Sequence, residues 1–137
     1  MIQCISVCQD CICLVDDGKL KYSGSSVDEV CLLELTRDLK YMGYLSGRSQ
    51  ESITMTTSDS GETTKFDILK VFPFTSDRKA MSIVVRGENG KKFVFTKGAD
   101  SSMLKFSNQI NCDKIINEVE DFASQGLRTL VFGYREL

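Results

Sequence analysis

The sequence predicts an α+β domain built on a mainly antiparallel β-sheet with flanking helices. Runs of β-branched and aromatic residues follow one another with short polar turns between them, and helical patterns interrupt the series at only a few places. The links are too short for the crossovers that a parallel sheet needs. A length of 137 residues is typical of one domain, and the chain contains no internal repeat or linker. We therefore expect residues 1–137 to form a single domain.

The amino-terminal part of the chain contains one well-marked helix. Residues 1–13 have an ambiguous pattern that fits a helix followed by a strand. Ser26 with Glu29 three residues later has the pattern of a capping box, which predicts a helix from this point to about Lys40. Gly43 is expected to stop this helix.

Two further helices are expected in the carboxy-terminal part. Asp100 is a good candidate to cap a short helix over residues 101–106. A longer helix should end at Gly126, because apolar residues recur at helical spacing before it. This apolar face consists of Ile115, Ile116, Val119, Phe122 and Ala123.

The remaining elements are strands and turns. Asp17-Gly18 and Asn89-Gly90 lie between extended runs and predict tight turns, the second being the strongest hairpin signal in the chain. This turn explains the glycines and lysines of residues 87–92 better than a phosphate-binding loop does. The predicted strands cover residues 20–23, 44–48, 53–57, 64–74, 81–86, 93–95 and 127–134.

Composition excludes several functional classes. A net charge of −2 and a pI near 5.2 argue against a nucleic-acid-binding module, which normally presents a basic surface to phosphates. The absence of histidine excludes a Ser-His-Asp triad, a Cys-His pair and zinc ligation by imidazole. Neither G-x-x-x-x-G-K-[ST] nor G-x-G-x-x-G occurs, and no apolar run approaches the roughly 18 residues that span a bilayer.

The six cysteines allow two interpretations. Cys8 and Cys11 form a C-x-x-C pair, and Cys4 and Cys13 could complete four thiolates for a zinc ion. A second, distant pair is absent, so we favour the interpretation that these cysteines are reduced, metal-free and act as small apolar residues in the cytosol. A non-catalytic interaction domain with cysteine-bound zinc remains the alternative.

Four segments, in this order, resemble the nucleotide-binding domain of P-type ATPases. Residues 22–29 are Tyr-Ser-Gly-Ser-Ser-Val-Asp-Glu, residues 71–82 are Val-Phe-Pro-Phe-Thr-Ser-Asp-Arg-Lys-Ala-Met-Ser, residues 95–100 are Phe-Thr-Lys-Gly-Ala-Asp, and residues 126–130 are Gly-Leu-Arg-Thr-Leu. The tetrapeptide Lys-Gly-Ala-Asp at residues 97–100 resembles the corresponding segment of the type IV members, the phospholipid flippases, rather than the Lys-Gly-Ala-Pro of ion pumps. Val27, where that subfamily has proline, and Ala80, where it has a second arginine, depart from the pattern.

The resemblance implies an ATP pocket. Phe74 would stack on adenine, Glu29 would accept a hydrogen bond from the adenine amine, and Lys97 would lie at the deep end of the pocket. Gly98 would let the backbone pass close to the base. Arg128 would reach the phosphates, and the wall would be completed by Ser76, Lys79 and Met81.

Each of these residues also has an ordinary structural explanation. Glu29 fits the third position of a capping box, and a strand-end phenylalanine such as Phe74 is more often a core residue than a ligand platform. The sequence further predicts that Phe74 and Lys97 can be truncated without unfolding the domain, whereas Phe93 is expected in the sheet core.

For the whole protein, the resemblance implies a phospholipid-transporting ATPase. The phosphorylated aspartate of the family lies in an Asp-Lys-Thr-Gly motif, which is absent here, so this chain should hold no catalytic residue. It would be the cytosolic nucleotide-binding domain of an integral membrane protein, binding ATP with Mg²⁺ whose ligands lie mostly outside this chain. Its partners would be the phosphorylation and transmembrane domains of the same polypeptide, with room for an accessory subunit. A scaffold domain whose pocket no longer binds ATP is a further alternative.

Overall fold

A computed structural model of the chain describes residues 1–39, 43–57, 59–107 and 112–137. The helices in this part are α1 (Ile2–Val7), α2 (Val27–Asp38), α3 (Asp100–Phe106) and α4 (Cys112–Ser124). The strands are β1 (Ile12–Asp16), β2 (Lys19–Ser23), β3 (Tyr44–Arg48), β4 (Ser52–Thr56), β5 (Thr63–Thr75), β6 (Ala80–Gly87), β7 (Lys92–Gly98) and β8 (Val131–Glu136).

The strands within the described residues form two antiparallel sheets. One is the β1–β2 hairpin, and the other has six strands in the order β3-β4-β5-β6-β7-β8. Every neighbouring pair in the larger sheet is antiparallel. Spatial order follows chain order, as in a meander, and the predicted α+β class with a mainly antiparallel sheet is confirmed.

The two tight turns form as predicted, with different backbone conformations. In the β1–β2 hairpin, Asp17 and Gly18 both have positive φ, at 50° and 71°, as a two-residue type I′ loop requires. In the β6–β7 hairpin, Gly90 takes φ of 78°, and its N–H donates to the Gly87 carbonyl at 2.9 Å. This longer loop places only its glycine in the left-handed region.

Helix α2 begins as the sequence predicts. The Ser26 hydroxyl accepts a hydrogen bond from the Glu29 N–H at 3.4 Å. The helix ends at Asp38, and the predicted last residue, Lys40, lies outside the described residues. Gly43 directly precedes β3 with φ of 80°, so its left-handed conformation serves the start of the strand.

The cap predicted for α3 is wrong. Asp100 is the first residue inside α3, and the capping position belongs to Ala99, which has no side-chain acceptor. The Asp100 carboxylate accepts from the neighbouring Ser101 N–H at 2.7 Å, within the first turn. An acidic residue there still interacts favourably with the amino-terminal end of the helix.

Helix α4 ends in a Schellman motif at Gly126, as the sequence predicts. Gly126 has φ of 75°, its N–H donates to the Ala123 carbonyl at 3.0 Å, and the Leu127 N–H donates to the Phe122 carbonyl at 3.1 Å. The following strand begins at Val131 rather than at residue 127. Residues 127–130 are irregular because the chain has to leave the helix end and cross to the edge of the sheet.

The core lies where the short helix α1 meets the large sheet. α1 contacts α2, β3, β7 and β8, and four of its residues are buried. Phe95 on β7 is buried, whereas Phe93, which the sequence predicts in the sheet core, is half-buried and packs against the core from its edge. Fully buried apolar side chains of the core include Val7, Leu33, Leu45, Ile53, Ile83 and Val85. In the described ranges, no helix is both long and apolar enough to cross a membrane.

Candidate functional site

A cleft of about 630 Å³ opens where the start of α2, the end of β5, the start of β6 and the end of β7 meet. Its volume is within the range of small-molecule sites. Residues 128–130, which follow the Schellman turn, form one side of its mouth. The lining residues are Asp10, Ser25, Ser26, Asp28, Glu29, Val71, Pro73, Phe74, Lys79, Met81, Lys97, Gly98, Ala99, Arg128, Thr129 and Leu130.

A β-bulge at the end of β5 shapes the apolar wall. The pairing with β6 shifts between Phe72 and Thr75, so that Pro73 and Phe74 lie opposite the single residue Met81. Proline tolerates this position because a bulge leaves a residue without a ladder hydrogen bond. Pro73 and Phe74 therefore both line the cleft, and the Phe74 side chain remains 62% exposed.

The floor of the cleft contains an ion pair between Glu29 on α2 and Lys97 on β7. The Lys97 Nζ lies 2.6 Å from Glu29 Oε1, and the two side chains are only 9% and 13% exposed, respectively. Glu29 Oε2 accepts from the Asp10 N–H at 2.9 Å and from the Cys11 thiol at 3.6 Å. The Glu29 carboxylate therefore faces the floor, and only the Ser26 half of the predicted capping box forms.

The Glu29 carboxyl is charged at neutral pH despite its burial. Burial alone raises its pKa, but the hydrogen bonds from Lys97 and from the Asp10 N–H, with the charge of Lys97, outweigh this effect. The net result is a pKa below the ordinary 4.5. Each carboxylate oxygen has two lone pairs, so Glu29 can accept a further hydrogen bond from a ligand N–H group.

Gly98 occupies a place where β7 approaches the start of β6 too closely for a side chain. A Cβ added to Gly98 would lie 2.7 Å from the Cβ of Ala80 and would also press against the Lys79 carbonyl oxygen. That carbonyl accepts from the Ala99 N–H at 2.9 Å, which fixes the approach. Strand packing thus requires glycine here independently of any ligand.

The mouth of the cleft contains a second ion pair, between Asp28 and Arg128. Arg128 Nη2 lies 2.8 Å from Asp28 Oδ2, and the side chains are 86% and 49% exposed. Asp28 is in the first turn of α2, and Arg128 belongs to the irregular residues after Gly126. Arg128 can reach the cleft because these residues are not part of β8.

The structure brings together all the residues that the sequence assigned to the pocket except Ser76. Met81 is buried in the wall and Lys79 is exposed at the rim. Ser76 is exposed in the turn after β5 and does not line the cleft. Their binding of a nucleotide stays a prediction.

Sequence reasoning missed several lining residues. Asp28 could have been found, because it directly precedes Glu29 in the same motif. Asp10 had no signal, since its role depends on how the chain after α1 crosses the start of α2. The other missed residues are Ser25, Ser26, Val71, Pro73, Ala99, Thr129 and Leu130.

The amino-terminal cysteines lie behind the floor of the cleft. Cys4, Cys8 and Cys11 are buried, and burial is the main cause that raises their thiol pKa values to about 11, 12 and 12. These thiols are therefore protonated at neutral pH in the metal-free chain. Within the described part of the chain, no three Cys, Asp or Glu side chains are arranged to hold a metal ion.

Residues 1–137 match the family model described as P-type ATPase, cytoplasmic domain N. The chain is 36% identical over 138 residues to phospholipid-transporting ATPase NEO1 of Saccharomyces cerevisiae, covering 100% of this chain and 12% of that protein. It is 34% identical over 124 residues to phospholipid-transporting ATPase DRS2 of the same yeast, covering 88% and 9%. It is also 34% identical over 137 residues to phospholipid-transporting ATPase IC of Homo sapiens, covering 97% and 10%. The chain thus spans about one tenth of the length of these relatives.

Proposed function

The chain belongs to the family of P-type ATPase cytoplasmic N domains, and from this premise we propose that it binds ATP in the cleft between α2, β5 and β7. The resemblance to type IV members that the sequence predicts is confirmed by relatives named as phospholipid-transporting ATPases. In a longer polypeptide, the domain presents the bound ATP to an aspartate outside this chain, and phosphorylation of that aspartate drives phospholipid translocation.

The observation that supports this proposal most strongly is the exposed Phe74 ring in the wall of the cleft. A largely exposed phenylalanine is costly in water and is well suited to stack on a planar base. Val71, Pro73 and Leu130 extend the apolar surface next to it. A cleft of about 630 Å³ has room for an adenine ring and its ribose.

The polar floor fits the edge of an adenine base. The charged Glu29 carboxylate accepts hydrogen bonds, so it complements the adenine amino group. It would repel a base that has a carbonyl oxygen at the same position. Lys97 is tied to Glu29 at 2.6 Å, and its ammonium group keeps this carboxylate ionised. Lys97 therefore orients the acceptor of the site besides supplying its own donors.

The cations at the rim of the cleft favour phosphates. Lys79 and Arg128 are exposed and line the cleft, where they attract the phosphate chain. Mg²⁺ neutralises charge on the phosphates of bound ATP. In this proposal the protein ligands of Mg²⁺ lie mostly outside this chain.

Binding without hydrolysis follows from the parts present in this chain. The Asp-Lys-Thr-Gly motif does not occur in it, so the aspartate that the family phosphorylates is not part of this sequence. An open site with one aromatic platform gives a dissociation constant on the order of 0.1 to several mM, with ADP and AMP within roughly a few-fold of ATP.

The domain works together with other parts of a longer polypeptide. Its partners are the phosphorylation and transmembrane domains of the same polypeptide, with an accessory subunit as a further partner. The domain lies on the cytosolic side of the membrane, and it uses no nucleic acid.

Replacement of Phe74 tests the proposal. We expect Phe74→Ala to bind ATP about five- to hundredfold more weakly, because stacking on one base contributes about 1–3 kcal/mol. Phe72→Ala is the matched control, since Phe72 lies on the same strand, is also exposed and does not line the cleft. Nucleotide-induced NMR shifts give the affinities, and urea unfolding shows whether each variant is folded.

The outcomes separate the possibilities. Unchanged ATP binding by Phe74→Ala, or an equal loss in Phe72→Ala, would show that the stacking assignment is wrong. A folded wild-type chain that binds no nucleotide would instead support the scaffold alternative. Sustained phosphate release from the purified chain would contradict the assignment of the phosphorylated aspartate to another domain.

A further inference from the structure

The cleft contains as many acidic as basic side chains, and two of its cations are already paired. Glu29 pairs with Lys97 in the floor, and Asp28 pairs with Arg128 at the mouth. Lys79 has no carboxylate within ion-pair distance among the described residues. The charged lining residues are Asp10, Asp28, Glu29, Lys79, Lys97 and Arg128. An incoming triphosphate therefore meets a site whose positive charge is largely neutralised.

In the ion pair at the mouth, Arg128 can exchange its partner Asp28 for another anion. Asp28 and Arg128 are 49% and 86% exposed, so water and salt weaken their attraction. The Arg128 guanidinium has donors that match a phosphate as well as a carboxylate. A phosphate group carries more charge than Asp28 and competes for the same donors.

We propose that Asp28 is a positioning residue that limits the affinity of the cleft for phosphates by holding Arg128. ATP binding then exchanges the Arg128–Asp28 pair for an Arg128–phosphate pair, and Asp28 reclaims Arg128 when the nucleotide leaves. This inference rests on the proposed function, because it needs nucleotide in the cleft. It also explains why triphosphate, diphosphate and monophosphate are expected to bind with similar affinity.

Asp28→Asn tests this role. Asparagine keeps the size of the side chain and removes its charge, so Arg128 becomes available to phosphates. We expect ATP to bind about two- to fivefold more tightly, the range that an exposed ion pair spans. The ratio of ATP to adenosine affinity should rise, because adenosine has no phosphate for Arg128 to contact. A change in protein stability alone would not alter this ratio.

Two further variants show whether Asp28 acts through Arg128. Asp67→Asn is the matched control for charge, because Asp67 pairs with Arg86 at 2.9 Å on β5 and β6 and does not line the cleft. It should leave the ATP-to-adenosine ratio unchanged. Arg128→Gln removes the partner, and in that background Asp28→Asn should increase ATP affinity much less than it does in the wild type.

The titrations use NMR shifts of the purified chain at low and at moderate salt. Unchanged or weaker ATP binding by Asp28→Asn would overturn the inference, with weaker binding indicating that Asp28 orients Arg128 productively. An equal gain in the Arg128→Gln background would also overturn it, since Asp28 would then act by direct repulsion. If the wild-type chain binds neither ATP nor adenosine, the proposed function fails and this inference with it. Normal binding of ATP with no response to Asp28→Asn overturns this inference alone.

Discussion

The acidic members of the two ion pairs in the cleft, Asp28 and Glu29, are adjacent residues in the first turn of α2. Glu29 pairs with Lys97 in the floor, at 2.6 Å and almost out of contact with water. Asp28 pairs with Arg128 at the mouth, at 2.8 Å and in water. The distances are similar and the acids are adjacent, so the difference between the pairs lies in their surroundings.

This difference separates a structural pair from an exchangeable one. Both members of the floor pair have lost most of their hydration, so the loss of either partner leaves a buried charge without its counter-charge. The members of the mouth pair keep most of their hydration, so they exchange partners at little cost. The contrast teaches that burial, rather than distance or sequence position, distinguishes an ion pair that is held in place from one that can exchange partners.

The largest expected effect is on stability when the floor pair is broken. Lys97→Ala leaves the Glu29 carboxylate buried and unpaired, which should lower the free energy of unfolding by about 3–5 kcal/mol. Arg128→Ala is the control from the mouth pair and should change it by no more than about 1 kcal/mol. Urea unfolding of both variants measures the difference.

This expectation revises the one drawn from the sequence, which treated Lys97 as removable without structural cost. Equal stability losses in the two variants would contradict the contrast between the pairs. The double variant Glu29→Gln with Lys97→Met should recover part of the loss, because it removes both charges.

A smaller effect is expected from Gly98→Ala, which moves the strand that positions Lys97. The added methyl group would press on the Lys79 carbonyl and on Ala80, and such overpacking costs about 1–3 kcal/mol. Gly47→Ala on β3 is the control, since its added Cβ would meet Thr54 at an ordinary 3.7 Å. Thermal unfolding of both variants should show a clear loss only for Gly98→Ala. Comparable melting temperatures would mean that β6 and β7 separate easily at this point.

The smallest expected effect is a dependence of stability on acid pH that comes from the floor pair. The pKa of Glu29 is lower in the folded chain than its ordinary value of 4.5. Glu29 therefore contributes stability above about pH 4.5 and loses this contribution as the pH falls through the folded value. Glu29→Gln should flatten the stability profile in that acid range, measured by urea unfolding at a series of pH values. A profile as steep as that of the wild type would assign the acid sensitivity to other carboxyl groups.

Much of the fold could be predicted because its signals are local. Asp17-Gly18, Ser26 and Gly126 each act on neighbouring residues through backbone conformation or a single hydrogen bond. The predicted strand over residues 127–134 was wrong in its first half because the apolar pattern of Leu127 and Leu130 is not specific to a sheet. These two residues remain exposed beside the cleft and the end of α4.

The family motifs name some members of the candidate site, but they reveal neither the roles of these residues nor the other residues that line the cleft. The motifs that resemble the family locate Phe74, Lys97 and Arg128, and the structure places all three at one cleft. Nothing in those motifs shows that Lys97 is bound to Glu29 or that Asp28 holds Arg128. Both pairs join an acid of α2 to a cation that lies far along the chain.

The sequence by itself determined the order of helices and strands, the tight turns and, through the family motifs, seven of the residues that line the cleft. Only the tertiary structure decided that Glu29 faces Lys97, 68 residues away, and that the bulge at Pro73 and Phe74 exposes an aromatic ring. The physical reason is the separation along the chain of the residues that interact. Caps and turns depend on a few successive residues, whereas burial and ion pairing depend on which distant segments pack together.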